Sequence, residues 1–432
     1  SGETYNAICI KADNKLTINA GTLTLNNAGD MSKSLKADSI VVNGGNITST
    51  VKGSMYVNGT NASYCSNMKC DYYIGNGGTL TLTSSNGYAS RAISANEDIT
   101  IKGGTYTING SCNGLMTTYD HYTTKLLKSD KSINIIGGTL NITATGTGGK
   151  GIKSGTTFTM GNSATKTGPV VNITTKGSYL SSGSSSGMGG KQKTIGDPKG
   201  IKALGAVSIY GGNLTITTAS QGAEGLESKT GVTIYGGNHY LKCYDDCINS
   251  SGIINFAGGN TVCYGFGNDA VDSNYGRTGA ITISGGNVFS YTTKGSPEEG
   301  FDCDNNSYIV ITGGIAVSAG GAQGGGSNSV GSSSQGYYLG SSPSSYANGT
   351  YYTLCNTSGT PICTYRFEAG VSNTLSLLTA TNLGTGSITV KSGTSKPTAY
   401  TSSVANADGT EVFFINPTVT TSGTTATVTA SK

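Results

Sequence analysis

The residues able to do chemistry fall into two charge columns that recur along the chain. Lys11, Lys36, Lys69, Ser94, Lys128, Lys153, Lys202, Glu227, Asn249, Asp272 and Asp302 each occupy the fourth place of a five-residue box. The first place of the box behaves in the same way. It reads Lys33, Arg91, Lys125, Lys150 and Lys199, with Ile8 and Ser66 as exceptions, then Glu224, Asp246, Asp269 and Glu299. Both columns change sign between the box of Lys202 and the box of Glu227. Stacked carboxylates repel one another, and a bound cation would remove that cost. Hard oxygen donors with no His or Cys pair at ligand spacing select Ca²⁺ over zinc. The expected metal set is therefore Glu224, Glu227, Asp246, Asn249, Asp269, Asp272, Glu299 and Asp302. The competing reading of these residues is a solvated acidic face with salt-bridge partners.

The basic column also has two readings. One is a row of solubilising charges that blunt strand edges. The other is a row of cations facing an acidic polymer, for which Lys128, Lys153, Lys199 and Lys202 are the candidate contacts. Tyr210 and Tyr235 precede Gly-Gly at equivalent places in adjacent units. They are expected to stack outward and offer a platform to a sugar face, or simply to stack on each other. If the chain is a lyase acting on a uronan, Lys202 is the candidate base, although neighbouring carboxylates would raise its pKa and oppose that role. The two histidines, His121 and His239, stand alone, so no Ser or Cys triad is supported.

These columns need an element that repeats. The third box position is always apolar (Ile10, Leu35, Met68, Ile93, Leu127, Ile152, Ile201, Leu226, Ile248, Val271, Phe301) and the fifth always small. A Gly-Gly pair then separates two runs of alternating polarity, as in Thr139–Thr143 and Asn213–Thr217. Period-two alternation predicts strands, and Gly-Gly predicts a corner where side chains do not fit. The recurring interval between boxes is 22 to 25 residues, with longer values read as insertions. Three short strands per such interval predict an all-β chain, a parallel β-helix of about eleven or more coils. The expected division is residues 1–320 as the solenoid, 321–350 as a Gly/Ser-rich connection, and 351–432 as a C-terminal β segment, terminal coil and cap. A separate small β domain is the alternative for that last part. Ser181–Gly190 reads as an exposed flexible loop.

Composition removes several classes. The chain of 432 residues carries 68 Gly, 7 Pro and no Trp, with no three-residue glycine period, which excludes collagen. A net charge of +4 is too mild for a nucleic-acid protein. No apolar run reaches the ~20 residues of a membrane-spanning helix, so no membrane insertion is expected. Ten cysteines suit an oxidising, extracellular or cell-surface setting, with Cys355/Cys363 and Cys65/Cys70 as the local pairing candidates.

Boxes such as Lys150–Ser154, Lys199–Ala203 and Glu224–Ser228, running into Ile-Tyr-Gly-Gly-Asn units, resemble the secreted bacterial carbohydrate-binding β-helix family, whose fold is similar to pectate lyases. The resemblance covers residues 1 to about 320 and the final segment 411–432. It implies a right-handed, calcium-containing parallel β-helix that binds plant-wall polysaccharide, including polygalacturonate and cellulose. The family's acidic box residues are matched by Glu224, Glu227, Asp246, Asp269, Asp272, Glu299 and Asp302. The long lysine column and the ten cysteines depart from the family pattern. The expectation is a non-catalytic, calcium-stabilised, extracellular polysaccharide binder. A uronan lyase and a structural surface protein or adhesin without a sugar ligand are the alternatives.

Overall fold

The computed structural model describes residues 7–59, 61–118, 120–181, 194–303, 308–321, 329–343, 345–371, 375–418 and 423–432. The expected Ser181–Gly190 loop, apart from Ser181, lies outside them. The described residues contain strands and turns and no helix, and long parallel sheets of ten and 21 strands dominate. This is the expected all-β parallel solenoid. The chain divides into two compact units, Ser1–Val207 with Ile216–Glu227, and Ser208–Thr215 with Ser228–Lys432.

In the first unit the boxes form one parallel sheet in perfect register. The third positions run Ile10, Leu35, Met68, Ile93, Leu127, Ile152 and Ile201, each the Cα partner of the next. From Leu35 onward each of these side chains is fully buried. The fourth positions stack beside them from Lys11 to Lys202, again without a slip. A one-residue shift would turn every aliphatic side chain outward and bring the charges into the core, which fixes the register.

The corners follow the glycine prediction. Gly78 and Gly104 have φ of +89° and +94°. A Cβ on Gly104 would sit 2.8 Å from the carbonyl oxygen of Gly78, one coil away. The backbone conformation and the close approach of stacked coils both require glycine there.

In the second unit the boxes continue as Ile248–Ser250 and Val271–Ser273, with Asn249 opposite Asp272 and Asp272 opposite Asp302. Here the two strands flanking Gly-Gly are no longer separate. They merge into long bent strands, Val232–Cys243, Ile254–Gly265, Thr278–Thr292 and Tyr308–Gly320. Leu375–Ala380 pairs antiparallel with the last of these and covers its edge. The remaining C-terminal strands form a six-stranded antiparallel sheet in the order Ser402–Ala405, Glu411–Ile415, Pro361–Arg366, Tyr351–Cys355, Gly386–Gly393, Thr425–Ala430.

That sheet is held against the long strands by aromatic side chains. Phe289 and Tyr291 lie 5.1 and 4.8 Å from Phe367, and Phe289 lies 5.3 Å from Tyr365, ring centre to ring centre. Tyr240, Val262, Phe289 and Val317 occupy one outward-facing register position in successive strands. In the first unit the outward positions of the corresponding runs are Thr81, Thr107, Asn141 and Asn172. The change from polar to aromatic and aliphatic residues marks where the solenoid wall is covered.

All ten cysteines are free thiols, and nine are buried. The two expected pairings therefore do not occur. Cys65 and Cys70 sit five residues apart on a single extended strand, beyond disulfide reach. Cys355 lies opposite Pro361, with a register irregularity between it and Leu354, the partner of Cys363.

Candidate functional site, a basic face on the first unit

The box sheet of the first unit presents its charged columns along one face, but the two columns differ in depth. First-position cations are the deeper ones: Lys33, Arg91, Lys150 and Lys199 are all buried. Fourth-position Lys69, Lys128, Lys153 and Lys202 are half-buried, and Lys11 and Lys36 are exposed. The sequence matches the two columns in charge sign, and their difference in depth is set by the structure. His121, from the hairpin Leu115–Met116 with His121–Tyr122, and Ala62, Ser63 and Tyr64 line cavities with the first-column cations.

Two cavities result. The larger, about 370 Å³, is lined by Lys33, Lys36, Tyr64, Lys69, Arg91, Lys125 and Lys128, among others. The smaller, about 200 Å³, is lined by His121, Lys125, Lys150, Lys153, Asp197, Lys199 and Lys202, among others. Lys125 belongs to both.

The buried cations are anchored mainly by neutral oxygens. Arg91 donates to the carbonyls of Ser90 and Thr123 at 2.8 and 2.7 Å, and its guanidinium lies 3.8 Å from the centre of the Tyr64 ring. Lys33 donates to Met31 O and Ser63 Oγ. Lys150 donates to Asp197 O at 2.6 Å and Gly148 O at 3.3 Å. Lys153 donates to Ser154 O at 2.7 Å.

Such an environment disfavours the protonated ammonium. Burial, reinforced by Arg91, Lys150, Lys153 and Lys128, brings the Lys125 pKa down to about 6. Burial and then Lys199 and Lys202 bring Lys150 down to about 7. Burial, Lys202 and Lys128 bring Lys153 down to about 8.

The border of the face is different. Lys199 is 2.5 Å from Glu224 Oε1 and 3.7 Å from Glu227 Oε2. Burial acts to lower its pKa, but Glu224 and Glu227 outweigh that and the net shift is upward. Lys202 meets both oxygens of Glu227 at 2.8 and 2.9 Å. The charges of Glu224 and Glu227, two of the expected calcium ligands, are thus met by lysines.

The other expected metal ligands lie in the second unit. Asn249 Nδ2 donates to Asp246 Oδ2 at 2.9 Å and to Asp272 Oδ2 at 2.7 Å. Asn268 Nδ2 donates to Asp246 Oδ1, and Asn274 Nδ2 to Asp272 Oδ2. Asp269 Oδ1 accepts from the backbone N–H of Glu299. Burial dominates at Asp269 and pushes its pKa up to about 9; the Glu299 N–H opposes this, while Asp302 and Asp272 add to it. Asp246, Asp269 and Glu299 are buried, and Asp272 and Asp302 half-buried. Asp304, another acid of this block, lies outside the described residues. The donor set is all hard oxygen, as calcium requires. Among the described residues no three His, Cys, Asp or Glu side chains converge as a ready-made metal cluster. Amide side chains stand between the carboxylates instead.

Tyr210 and Tyr235, also in the second unit, stack with ring centres 5.0 Å apart and planes 13° from parallel. Tyr235 is 39% exposed. His121 is exposed on its hairpin, with Nδ1 3.3 Å from Asp120. His239 is buried in the solenoid interior, where its Nε2 bonds Gly236 O at 2.8 Å and burial lowers its pKa to about 4.

A family described as "Carbohydrate-binding domain-containing protein" matches residues 50–222 and 182–270, together just over half of the chain. The chain belongs to that family. Comparison with curated proteins and with solved structures returned no match. The stretch matched by the carbohydrate-binding domain family includes Arg91, Lys125, Lys150, Lys199 and Lys202, and so most of the basic face.

Sequence reasoning named Lys128, Lys153, Lys199 and Lys202 as candidate carbohydrate contacts and left out Arg91, Lys125 and Lys150, which line the same cavities. The signal was present in the cationic first column. Its depth was not, because the hairpin that lines a cavity beside it comes from an insertion outside the repeat.

Proposed function

We propose that the chain is a non-catalytic polysaccharide-binding protein whose basic face, on the first unit, takes an acidic glycan such as polygalacturonate. The observation that carries this reading is the pair of adjoining cavities lined by Lys and Arg side chains. Successive coils place these cations at about 4.8 Å, a spacing that suits a polymer lying along the solenoid. Carboxylate groups of such a polymer would supply the negative charge that the face lacks. The Tyr210–Tyr235 stack is a second, apolar platform for a sugar ring.

Two further features belong to the proposal. The protein acts outside the cell or at the cell surface, where such polymers are met. The acids Asp246, Asp269, Asp272, Glu299 and Asp302, with Asn249, hold Ca²⁺. Their hard-oxygen chemistry and the like-charge repulsion around Asp269 support this.

The test is retention on polygalacturonate and on a neutral polymer such as cellulose, at low and high salt. Selective, salt-sensitive retention of the acidic polymer is expected, and charge reversal at Lys128 and Lys153 should abolish it. Equal retention of both polymers, or of neither, would refute the acidic-glycan reading.

A second reading, a uronan lyase, has one specific observation in its favour. Lys125 and Lys150 have pKa values near neutrality, as a general base requires. Lys202 is less suited, since its ammonium is engaged by Glu227. Growth of unsaturated-product absorbance during incubation with polygalacturonate and Ca²⁺ would favour the lyase; a flat trace is expected of the binder.

A further inference from the structure

Lys125 stands at the junction of the two cavities, and its neighbours are cations. Arg91 faces it from the strand Ser90–Ala95, Lys150 and Lys153 from the strand Lys150–Ser154, and Lys128 shares its own strand. Each of those four is already held: Arg91 by two carbonyls and the Tyr64 ring, Lys150 by two carbonyls, Lys153 by one, and Lys128 by Asp130 at 2.5 Å. The Lys125 ammonium makes no hydrogen bond or ion pair among the described residues. Asp197, which lines the smaller cavity with Lys125, lies 3.9 Å from Lys199, and Asp130 pairs with Lys128. His121 lines the smaller cavity but turns its Nδ1 to Asp120.

A half-buried ammonium among four cations, facing open volume, has two ways to lower its energy. It can release its proton, or it can gain an anion. We propose that the space around Lys125 is a discrete site for one sugar-borne oxyanion, carboxylate or sulfate, and that filling the site draws protons into the protein. The proposal rests on the acidic-glycan reading of this face and deepens it.

The coupling follows from linkage. With pKa values of about 6, 7 and 8, Lys125, Lys150 and Lys153 together carry fewer than three protons at neutral pH. An oxyanion among them favours the charged forms, so binding takes up protons and tightens as pH falls. Each proton taken up is worth about tenfold in affinity per pH unit, over the range between the free and bound pKa values.

The experiment is calorimetric titration of the full chain at pH 7.5, in two buffers of different ionisation heat. The ligands are inorganic sulfate, an oligogalacturonide and a sulfated oligosaccharide. At least one oligosaccharide is expected to bind with a buffer-dependent heat, reporting proton uptake, and to bind at least tenfold more tightly at pH 6.5 than at pH 8. The arm that binds identifies the oxyanion. Lys125→Met should remove about half of the proton uptake, while Lys102→Met, an exposed lysine outside the cavities, should leave it intact. If Lys125→Met fails to fold, Lys125→Arg, which keeps a cation but does not titrate near neutrality, should bind with diminished uptake.

Buffer-independent heats, or uptake unchanged in both Lys125 variants, would overturn the proposal even if polymers are still retained on the face. Sulfate binding with uptake while neither oligosaccharide binds would overturn it as well, by removing the sugar. Oligosaccharide binding with uptake, but without polymer retention, would support the site and count against the polymer reading alone.

Discussion

Lys202 and Glu227 form a two-point ion pair, with the ammonium 2.8 and 2.9 Å from the two carboxylate oxygens. Glu227 is only 2% exposed, and Lys199 also lies within 3.7 Å of it. One buried carboxylate therefore serves two cations. Breaking a buried pair from one side leaves an uncompensated charge, at a cost of about 3–5 kcal/mol. Glu227→Gln is expected to lose stability of that order in urea unfolding. Lys202→Met should lose much less, because Lys199 still faces Glu227. Equal losses for the two variants would mean that the shared arrangement carries no energetic weight.

The lysines at the centre of the face make stability depend on pH, with a definite sign. Lys125 titrates near 6 when folded and near 10.5 when unfolded. Between those values the unfolded chain binds more protons, so this residue's contribution to stability rises with pH. At or below pH 6 the full cost of confining a charged ammonium is present in the folded state. Lys125→Met should therefore exceed the natural chain in stability by most near pH 6, and the advantage should shrink steadily toward pH 10. Taking the difference between the two chains cancels the titrating groups that do not interact with Lys125. An advantage that grows with pH would contradict the environment described for Lys125.

The proposal that the acids of the second unit hold Ca²⁺ makes a thermodynamic prediction. A ligand that binds only the folded state adds about 2.7 kcal/mol at one hundred times its Kd. Added Ca²⁺ should raise the melting temperature and a chelator should lower it. Asp272→Asn should abolish the response, because Asp272 joins Asn249, Asn274 and the Asp302 position. A melt indifferent to both Ca²⁺ and chelator would remove the metal from the description.

Docking of the C-terminal sheet depends on a few rings. Phe289 is fully buried and packs on Tyr291, Tyr365, Phe367 and Phe413. Phe289→Ala should cost about 3–5 kcal/mol, since both transfer energy and a cavity are lost. Protease digestion should then begin in residues 351–432 while the box sheet stays protected. Cleavage spread evenly along the chain would show that the two regions unfold together.

The parallel solenoid was legible because its signals are local and repeated. Ile152 and Ile201 are apolar for the same reason, and every box adds the same constraint. The register of Lys153 against Lys202 followed from that constraint alone. The apolar column from Tyr240 to Val317 was equally visible as a string of residues, but its purpose was not. Outward rings have no local reason to exist, and the sheet that covers them lies far away in sequence.

The amino-acid order by itself determined the β coils, their glycine corners, the stacking of box positions and the change of charge sign between Lys202 and Glu227. These depend on side-chain periodicity, which short segments carry within themselves. Tertiary structure decided which charges are deep and what they meet. Arg91 is buried against the Tyr64 ring and the Thr123 carbonyl, Lys150 against the carbonyls of Gly148 and Asp197, and Glu224 and Glu227 meet lysines on the preceding coil. Burial and charge pairing are set by groups brought together from distant positions, and a repeat pattern does not encode them.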